Sequence, residues 1–327
     1  MDKKDLYKYF PQSWYPICLS SEIKKNEIKE IEAFSTKLII FRNQKNEIGV
    51  IKKYCPHMGT NLKNSKMGSD GPICPFHLRE FDKNGKCLRM YGHDKIPNNA
   101  HTKSLEVIEK FKIIFVFWGD KIGFEFPKFS RLDDQEKYVC SKPANYKLNT
   151  PYHSLLFNGF DTHHLGCIHS RVVSEDPIFK TPERNLMTAD YAMEALPNRF
   201  YDLIVSKLNT SKNIVNLKCW GGNFLIIQLE NTKDNILITS MPINNKESKI
   251  FLTSITNPIG NSLFRLIRLK FTTFLGVEFL RPDIDIIEGM RPEIKSLYGE
   301  LDKGVIEFWK YWENLPRDKE FQNSFNS

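Results

Sequence analysis

The sequence lacks the features that mark membrane-spanning and secreted proteins. Its longest apolar stretches, such as IIFVFWG at 113–119, are far shorter than the ~18–20 residues needed to cross a bilayer. The N-terminal segment MDKKDLYKYFPQSWYP is polar and aromatic, without the charged, apolar and small-residue order of a signal peptide. We therefore expect a cytoplasmic protein with no transmembrane segment.

Cysteine is scarce as well. The 7 cysteines are scattered along the chain, and an odd number without a secretory signal argues against a disulfide framework. The 47 lysines and arginines exceed the 39 acidic residues, which gives a net charge of +8, but no dense basic stripe with interleaved aromatic residues is present. We therefore expect no nucleic acid partner. The positive charge favours a mildly basic surface, with docking of an acidic protein as the alternative.

The composition is that of a globular protein, since hydrophobic residues make up 41% of the 327 positions, enough for two domains. From residue 12 to 127 the chain alternates short apolar runs with turn residues, and Asn84-Gly85 is typical of a hairpin turn. This pattern predicts a small all-β domain. A polar stretch follows, and we predict a second domain over residues 128–317 and a flexible tail over residues 318–327.

The second domain begins with strand-like segments and ends with helical ones. Four apolar runs joined by short polar turns predict an antiparallel meander. The runs are NIVNLKCW, NFLIIQLE, NILITSMPI and KIFLTSIT. Apolar residues three and four apart then predict helices over 261–276 and 293–315, so the fold class is α+β. We expect the basic helix over 261–276 to pack on the sheet, with a position on a membrane surface as the alternative.

Two short loops hold a distinctive arrangement of cysteine and histidine. CPHMGTNL places Cys55 two positions before His57, and CPFH places Cys74 three positions before His77. Two thiolates and two imidazoles can bind a tetrahedral zinc ion. In most zinc modules of this composition, however, the cysteines come from one knuckle and the histidines from another, whereas here each loop contributes one of each. Two such loops can give both sulfurs to one iron of a two-iron cluster and both nitrogens to the other.

These loops closely resemble those of the Rieske 2Fe-2S centre. The resemblance implies that the two cysteines and two histidines bind the cluster. One pair of residues departs from the family pattern, because the family usually follows the second histidine with Gly-Trp, whereas Leu78-Arg79 stands here. We therefore expect the packing beside the cluster to differ from that of the family.

A second constellation lies in the stretch FNGFDTHHLGCIH. Asp161, His164 and His169 follow the pattern Asp-x2-His-x4-His, with Asn158 three residues before the aspartate. Two imidazoles and one distant carboxylate can occupy one face of an iron(II) ion and leave positions open for oxygen. Hydrogen bonding of the histidines in the core or at the surface is the alternative. On a helix, residues five apart point about 140° away from each other, and Gly166 would permit the necessary bend.

A third ligand must come from elsewhere, and RPDIDIIEGMRP offers Asp283, Asp285 and Glu288. On a helix, Asp283 shares its face with the apolar residues at offsets three, four and seven, whereas Asp285 shares its face with Glu288 and a glycine. A buried lone carboxylate is costly unless it is paired or binds a metal. We therefore expect Asp283 to bind iron, with a surface salt bridge as the alternative.

Together the two constellations resemble the Rieske non-heme iron oxygenases, over about residues 12 to 315. The resemblance implies an all-β Rieske domain followed by a helix-grip (START-like) catalytic domain with an antiparallel sheet. It implies that His164 and His169 bind a mononuclear iron(II), with Asp283 in a similar late helix as the third ligand.

The same resemblance implies a role for Asp161 between subunits. In the family, commonly trimeric, this aspartate lies between an iron-bound histidine and a cluster histidine of the next subunit. We count Asn158 with Asp161 as a candidate catalytic residue. His163 has the wrong offset from Asp161 to share its helical face, and we expect it to lie beside the ligands or at the surface.

The family reaction activates dioxygen at iron(II) with electrons delivered by the cluster, and it hydroxylates, demethylates or desaturates the substrate. The sequence contains no GxGxxG or flavin signature, so we expect electrons from a separate ferredoxin or NAD(P)H-dependent reductase. The loops CPHMGTNL and NGFDTHHLGCIH are most similar to those of ketosteroid hydroxylases and sterol desaturases, which favours a bulky hydrophobic substrate. The alternative is a non-catalytic electron-transfer or lipid-carrying protein.

Overall fold

The computed structural model describes residues 6–92, 94–129, 137–195, 213–229, 234–291 and 299–326. The chain divides into two compact units. The first unit comprises Lys3–Gly123 together with Arg317–Ser327, and the second unit consists mainly of Phe124–Pro316. Each unit is described by itself below.

The first unit is built from β-strands, as the alternating apolar pattern predicts. Its strands are β1 (Ser13–Leu19), β2 (Glu27–Ala33), β3 (Thr36–Arg42), β4 (Ile48–Lys52), β5 (Lys66–Met67), β6 (Pro72–Ile73), β7 (Glu80–Phe81), β8 (Cys87–Arg89), β9 (Ser104–Lys110) and β10 (Ile113–Trp118). Six of them form an antiparallel sheet in the order β1-β10-β9-β4-β3-β2, and β5 to β8 form a four-stranded sheet in chain order. Every residue of β10, IIFVFW, is buried, which suits its position between β1 and β9.

Tight turns join the strands of the first unit. The predicted Asn84-Gly85 turn joins β7 to β8, with Gly85 at a φ of 75°. Residues 34–35 join β2 to β3 and residues 111–112 join β9 to β10, all with φ between 56° and 62°. Two consecutive residues at positive φ form the type I′ turn whose twist fits a hairpin. The sequence did not reveal these two turns, because each contains a buried phenylalanine instead of glycine or asparagine.

The second unit is α+β, as predicted. Its strands are β11 (Val139–Cys140), β12 (Ala144–Leu148), β13 (Arg171–Val173), β14 (Ile178–Glu183), β15 (Leu186–Ala195), β16 (Asn213–Trp220), β17 (Phe224–Leu229), β18 (Asn235–Pro242) and β19 (Ser248–Thr256). They form one antiparallel sheet in the order β11-β19-β18-β17-β16-β15-β13, with β12 on β19 and β14 on β15. The four predicted runs are β16 to β19, although most of the predicted turn between β17 and β18 lies outside the described residues.

Helices flank this sheet. They are α1 (Ser154–Asn158), α2 (Thr162–His169), α3 (Ser262–Ile287) and α4 (Lys303–Glu313). Helix α3 begins where predicted, because the Asn261 side chain accepts hydrogen bonds from the N–H groups of Leu263 and Phe264, but it runs eleven residues beyond position 276. It packs against β19 as expected, with Leu269 fully buried. The predicted helix over 293–315 is seen as α4, and its first part lies outside the described residues. No helix in the described part of the chain is long and apolar enough to cross a membrane.

The C-terminal segment is not the flexible tail that we predicted. Lys319–Asn326 form helix α5, which belongs to the first unit. Phe321 and Phe325, four residues apart, are buried and pack against Trp118 with ring centroids 5.1 Å and 5.4 Å away. The Gln322 side chain accepts a hydrogen bond from the N–H of Phe10 at 3.0 Å. Two apolar positions in a polar octapeptide gave too weak a periodicity to predict this helix.

Candidate metal centres

The two cysteine–histidine loops follow β4 and β6 and share one backbone pattern. In each loop, the residue four places after the cysteine donates its N–H to the cysteine carbonyl, Gly59 to Cys55 at 2.9 Å and Leu78 to Cys74 at 3.0 Å. This residue has a positive φ in both loops, 70° at Gly59 and 51° at Leu78. The loops are therefore structural equivalents that turn back tightly around their cysteines.

The loops bring two thiols and two imidazoles together in different surroundings. Cys55 and Cys74 are 3% and 1% exposed, and both are free thiols. His57 and His77 are exposed, and their Nδ1 atoms lie 3.2 Å apart. The sulfurs thus lie in the core while the ring nitrogens converge at the surface. This separation of two sulfur from two nitrogen ligands is what a Rieske cluster requires.

The electrostatics of these loops also suit a cluster. Burial raises the pKa of the Cys55 thiol, and the neighbouring Cys74 raises it further. A bound metal ion supplies the positive charge that keeps such sulfurs as thiolates. Partial desolvation and the charge of Arg79 lower the pKa of His57, which favours the neutral imidazole that binds metals. The donor set present therefore fits the cluster that the loop pattern predicts.

The second candidate centre joins α2 to α3. His164 lies inside α2, His169 is its last residue, and Asp283 lies one turn before the end of α3. Asp283 Oδ1 lies 2.9 Å from His169 Nε2 and 3.8 Å from His164 Nε2. The ligand atoms of these three residues all lie within 4.8 Å of one another. The structure thus brings together the two histidines and one carboxylate that form the facial donor set of non-heme iron(II) sites.

This centre is buried, and part of its polar surface has no partner. Asp283 is 3% and His169 1% exposed, and the His169 ring stacks on Phe279 with centroids 3.9 Å apart. Nδ1 of His169 is buried without a hydrogen-bond partner in the described structure. Burial lowers the pKa of His164 despite the opposing charge of Asp283, which favours its neutral form. A buried carboxylate is costly unless it is paired or binds a cation, so these residues fit a metal ion.

The fold positions His164 through Asp161, the N-cap of α2. Asp161 Oδ1 accepts hydrogen bonds from the N–H groups of His163 and His164 at 3.0 Å and 3.2 Å. The Asp161 carbonyl accepts a hydrogen bond from His164 Nδ1, which leaves Nε2 facing Asp283. The predicted bend at Gly166 is absent, since α2 is continuous across it. The rings converge instead because His169 stands at the helix end and its ring reaches Asp283.

The remaining predicted residues lie around this centre. Asn158 is the half-buried last residue of α1, and its carbonyl accepts the N–H of Asp161 at 3.2 Å. His163 is exposed, with Nε2 3.9 Å from Cys167 Sγ, so it lies at the surface, one of the two expected places. Sequence reasoning missed Phe279, which stacks on a ligand ring and lies one turn before Asp283, a spacing that could have indicated it.

The other carboxylates at the end of α3 point elsewhere. Asp285 is exposed, and Glu288 accepts a hydrogen bond from the N–H of Asn149 at 3.1 Å. Of the apolar residues predicted to share the face of Asp283, Ile287 is buried but Ile286 is 53% exposed. The helix therefore buries a narrower stripe than predicted, and Asp283 lies within it.

Comparison with known proteins agrees with this fold and these centres. Residues 13–105 match the family described as Rieske [2Fe-2S] domain. The whole chain is similar in fold to dicamba monooxygenase bound to dicamba, with a TM-score of 0.67 and 16% identity over 94% of this chain and 98% of that chain. A second structure of that enzyme, with non-heme iron and dicamba, gives a TM-score of 0.63 and 16% identity over 93% and 96% of the two chains. Residues 13–105 therefore form a Rieske [2Fe-2S] domain, and the chain has the fold of dicamba monooxygenase, so the predicted fold class and the predicted cluster domain are confirmed.

The chain is also similar to curated proteins that are named as desaturases and oxygenases. Cholesterol 7-desaturase nvd 1 of Ciona intestinalis is 31% identical over 50% of this chain and 36% of its own length. The 3-ketosteroid-9-alpha-monooxygenase oxygenase component of Rhodococcus rhodochrous is 31% identical over 46% and 39%. Aminopyrrolnitrin oxygenase PrnD of Pseudomonas fluorescens is 21% identical over 92% and 90%. The chain thus spans less than half the length of the two sterol and ketosteroid relatives, and the resemblance seen in the loops is confirmed.

Proposed function

We propose that the protein is the terminal oxygenase component of a Rieske non-heme iron oxygenase system. The observation that carries this proposal is the convergence of His164, His169 and Asp283 in a chain that also contains the paired cysteine–histidine loops. A Rieske cluster supplies electrons one at a time, and a mononuclear iron(II) supplies the site at which dioxygen is activated. A cluster domain alone would account for an electron carrier, whereas the buried histidine–carboxylate group requires a second metal.

The residues of the chain prepare these two centres in different ways. Asp283 contributes the negative charge that attracts a divalent cation, and Phe279 holds the plane of the His169 ring by stacking. The Asp161 carbonyl fixes the tautomer of His164. At the other centre the buried Cys55 and Cys74 and the exposed His57 and His77 would hold the cluster, which would exchange electrons with a partner.

The substrate that we propose is a hydrophobic, ring-containing molecule. Two relatives carry sterol and ketosteroid names, which favours a steroid-like ring system. Hydroxylation, demethylation and desaturation are all compatible with this donor set. Electrons come from a separate ferredoxin or NAD(P)H-dependent reductase, since one relative is named as an oxygenase component and therefore has other components. The cysteines are all free, which agrees with a cytoplasmic location.

The assembly that we propose is a homotrimer in which Asp161 lies between His164 and a cluster histidine of the next subunit. Asp161 uses Oδ1 to cap α2, and its other carboxylate oxygen has no hydrogen bond in the described structure. This free oxygen can accept an N–H from a neighbouring imidazole. Asn158 acts as a positioning residue, because its carbonyl holds the N–H of Asp161.

Iron content and turnover of the purified protein test the proposal. An oxygenase holds the two irons of the cluster and one more, and it converts a ketosteroid, supplied with dioxygen and an electron-donor pair, into a product detectable by mass spectrometry. The rival, a non-catalytic electron or lipid carrier, holds the cluster irons alone. Full cluster occupancy without further iron, after anaerobic reconstitution with ferrous iron, would favour the rival. The Asp283→Ala variant, which should show that lower iron content, is the matched control.

A further inference from the structure

The N-terminal half of α3 presents a large apolar surface that the fold does not bury. Six side chains among its first thirteen residues are between 42% and 69% exposed. They are Leu263, Phe264, Leu266, Ile267, Phe271 and Phe274, here called the apolar face. The buried side of this half is narrow, since only Leu269 and Thr273 are buried within it. Exposed apolar surface of this extent usually marks a contact site.

This half of α3 itself carries only positive charge. Arg265, Arg268 and Lys270 lie on it, and the sequence contains no acidic residue from Ser248 to Val277. Arg265 donates to backbone carbonyls ahead of the helix, so its charge is not neutralised there. Arg268 pairs with the buried Asp234, which lies outside the helix and partly offsets this charge. An apolar helix face whose own helix carries basic and no acidic residues is typical of helices that lie in a membrane interface.

Charge also distinguishes the possible occupants. A symmetric contact between the apolar faces of two copies would bring Arg265 and Lys270 of both copies together, and electrostatics opposes that contact. An anionic bilayer offers both an apolar layer and negative headgroups. We propose that this half of α3 docks on the surface of an anionic membrane, with the apolar face in the headgroup–acyl boundary and without crossing it. The docking does not depend on the proposed function. If both proposals hold, α3 carries the membrane contact in its first half and the ligand Asp283 near its end.

Vesicle flotation tests the docking. We expect the wild-type protein to float with vesicles of phosphatidylcholine and phosphatidylserine, less with phosphatidylcholine alone, and less at high salt. The double variant Phe264→Asp, Ile267→Asp should lose roughly tenfold or more in partitioning, because two apolar side chains no longer enter the bilayer. Both positions are exposed, so the fold is expected to persist and its melting temperature serves as a check. Ile178→Asp, at an apolar residue on β14 that is 53% exposed, should bind as the wild type does.

Two results would overturn the membrane proposal. One is a wild-type protein that stays out of the mixed vesicles. The other is a double variant that floats as well as the wild type. If the double variant instead lowers the mass measured by light scattering in the absence of vesicles, the apolar face is an interface between copies and not a membrane contact.

A second, independent observation concerns Arg79, which lies two residues after His77. Its carbonyl accepts the N–H of Cys74 at 2.8 Å, so its backbone belongs to the cluster loop. Its side chain is half-buried, and Nε is buried without a hydrogen-bond partner in the described part of the chain. No described carboxylate pairs with its guanidinium, in contrast to Arg89, which lies 3.3 Å from Glu80. A half-buried cation thus stands uncompensated beside the loop.

Arg79 belongs to the same loop as two of the proposed cluster ligands. It lies two residues after His77, and its carbonyl accepts the N–H of Cys74 at 2.8 Å. Its side chain is half-buried, so solvent screens its charge less than that of an exposed arginine. A cation on this loop stabilises negative charge that develops at the centre.

The charge of a Rieske cluster changes on reduction. With neutral histidines, two ferric ions, two sulfides and two thiolates cancel, and one added electron leaves the cluster negative. A fixed cation nearby therefore stabilises the reduced form more than the oxidised form. We infer that Arg79 raises the reduction potential of the cluster and so adjusts its electron transfer. This inference rests on the cluster assignment within the proposed function, and it does not require the mononuclear site.

A redox titration followed by electron paramagnetic resonance tests the role of Arg79. Arg79→Trp, which replaces the cation with a bulky uncharged side chain, should lower the midpoint potential, whereas Arg79→Lys, which keeps the charge, should retain most of the wild-type value. Arg89→Gln removes a cation from the same small sheet and should leave the potential unchanged. A wild-type potential in Arg79→Trp with an intact signal would overturn the inference. If the Arg79→Trp protein holds no cluster, Arg79→Gln is titrated in its place. If neither of these variants assembles a cluster but Arg79→Lys does, the role of Arg79 is structural, and the inference is overturned. A wild-type protein without a Rieske signal would refute the cluster assignment itself.

Discussion

His169 Nε2 lies 2.9 Å from Asp283 Oδ1, although 114 positions separate the two residues along the chain. The imidazole sits at the end of α2 and the carboxylate near the end of α3, and both side chains are buried. Neither group could remain buried alone without a large desolvation cost. Because His169 and Asp283 need each other as partners, we expect α2 to pack on α3 and the second centre to form together.

Asp283→Ala is expected to remove the mononuclear iron and abolish turnover, because it deletes the only buried carboxylate at the end of α3. It also leaves His169 without its partner, which we expect to cost about 1–3 kcal/mol of stability. Metal analysis, turnover assays and thermal melting measure these effects. Asp285→Ala, two residues away and exposed, is the matched control. If Asp285→Ala were inactive and Asp283→Ala active, the iron ligand would be Asp285 and not Asp283.

The adjacent histidines provide a second matched pair. His164→Ala should lose the mononuclear iron and turnover while the visible absorption of the cluster persists, because the two centres lie in different units. His163→Ala should keep both, since its ring is exposed and contacts Cys167 instead of Asp283. Iron content and absorption spectra distinguish the two variants. Equal losses in both would mean that α2 is disturbed as a whole.

The ligands could be predicted from sequence because a metal centre demands particular residue types at spacings that few other features require. The choice of Asp283 also required a prediction of which helix face is buried. That prediction was confirmed for Asp283 but was wrong for Ile286, which is exposed. The contacts that hold the ligands in place were harder to predict. The capping of α2 by Asp161 and the stacking of Phe279 on His169 depend on backbone direction and on distant packing.

The larger misses in the fold have a common physical cause. The helix α5 has only two buried aromatic residues, so its stability comes from packing on Trp118 and not from its own periodicity. The turns at 34–35 and 111–112 place residues other than glycine at positive φ, because burial of a phenylalanine offsets the local strain. In both cases tertiary contacts outweigh local preference.

Cys55→Ser should remove the cluster and lower the melting temperature of the first unit, because a bound cluster would cross-link the two loops. The measurement is the low-average-g resonance of the anaerobically reduced protein, expected in the wild type and absent in the variant. A buried cysteine outside the loops supplies the control, and Cys18→Ser should keep the resonance. Zinc in the wild type, with no such resonance, would refute the Rieske assignment.

The two equivalent positions at positive φ should respond oppositely to substitution. Gly59→Ala is expected to cost about 1 kcal/mol, although an added Cβ would meet nothing within 4 Å, because the cost lies in the backbone conformation. Leu78→Gly removes that strain at φ 51° and is expected to be neutral or stabilising, since the leucine is 49% exposed and contributes little packing. Thermal bleaching of the cluster absorption measures both. A strongly destabilised Leu78→Gly protein would show that this side chain has a packing role.

Asp161→Asn separates the charge of this residue from its capping role. Asparagine caps a helix as well as aspartate does, so the hydrogen bonds to the N–H groups of His163 and His164 should persist. We expect a folded, metal-replete protein with strongly slowed turnover, because the charge between the two centres is lost. Asp161→Ala should show the same kinetic defect and a loss of about 1 kcal/mol of stability. Unchanged turnover in Asp161→Asn would refute the bridging role.

Mixing subunits tests whether electrons cross between chains. A Cys55→Ser chain lacks the cluster and a His164→Ala chain lacks the mononuclear iron, so neither homo-oligomer should turn over. In the proposed trimer, some boundaries of a mixed oligomer would pair the intact cluster of one chain with the intact iron site of its neighbour, and activity should reappear there. Coexpression with two different affinity tags isolates the mixed species. Asp161→Asn, added to the Cys55→Ser chain, which has the intact iron site, should suppress the recovered activity. Inactivity of folded, demonstrably mixed oligomers would mean that electrons travel within one chain, and the proposed position of Asp161 between subunits would be wrong.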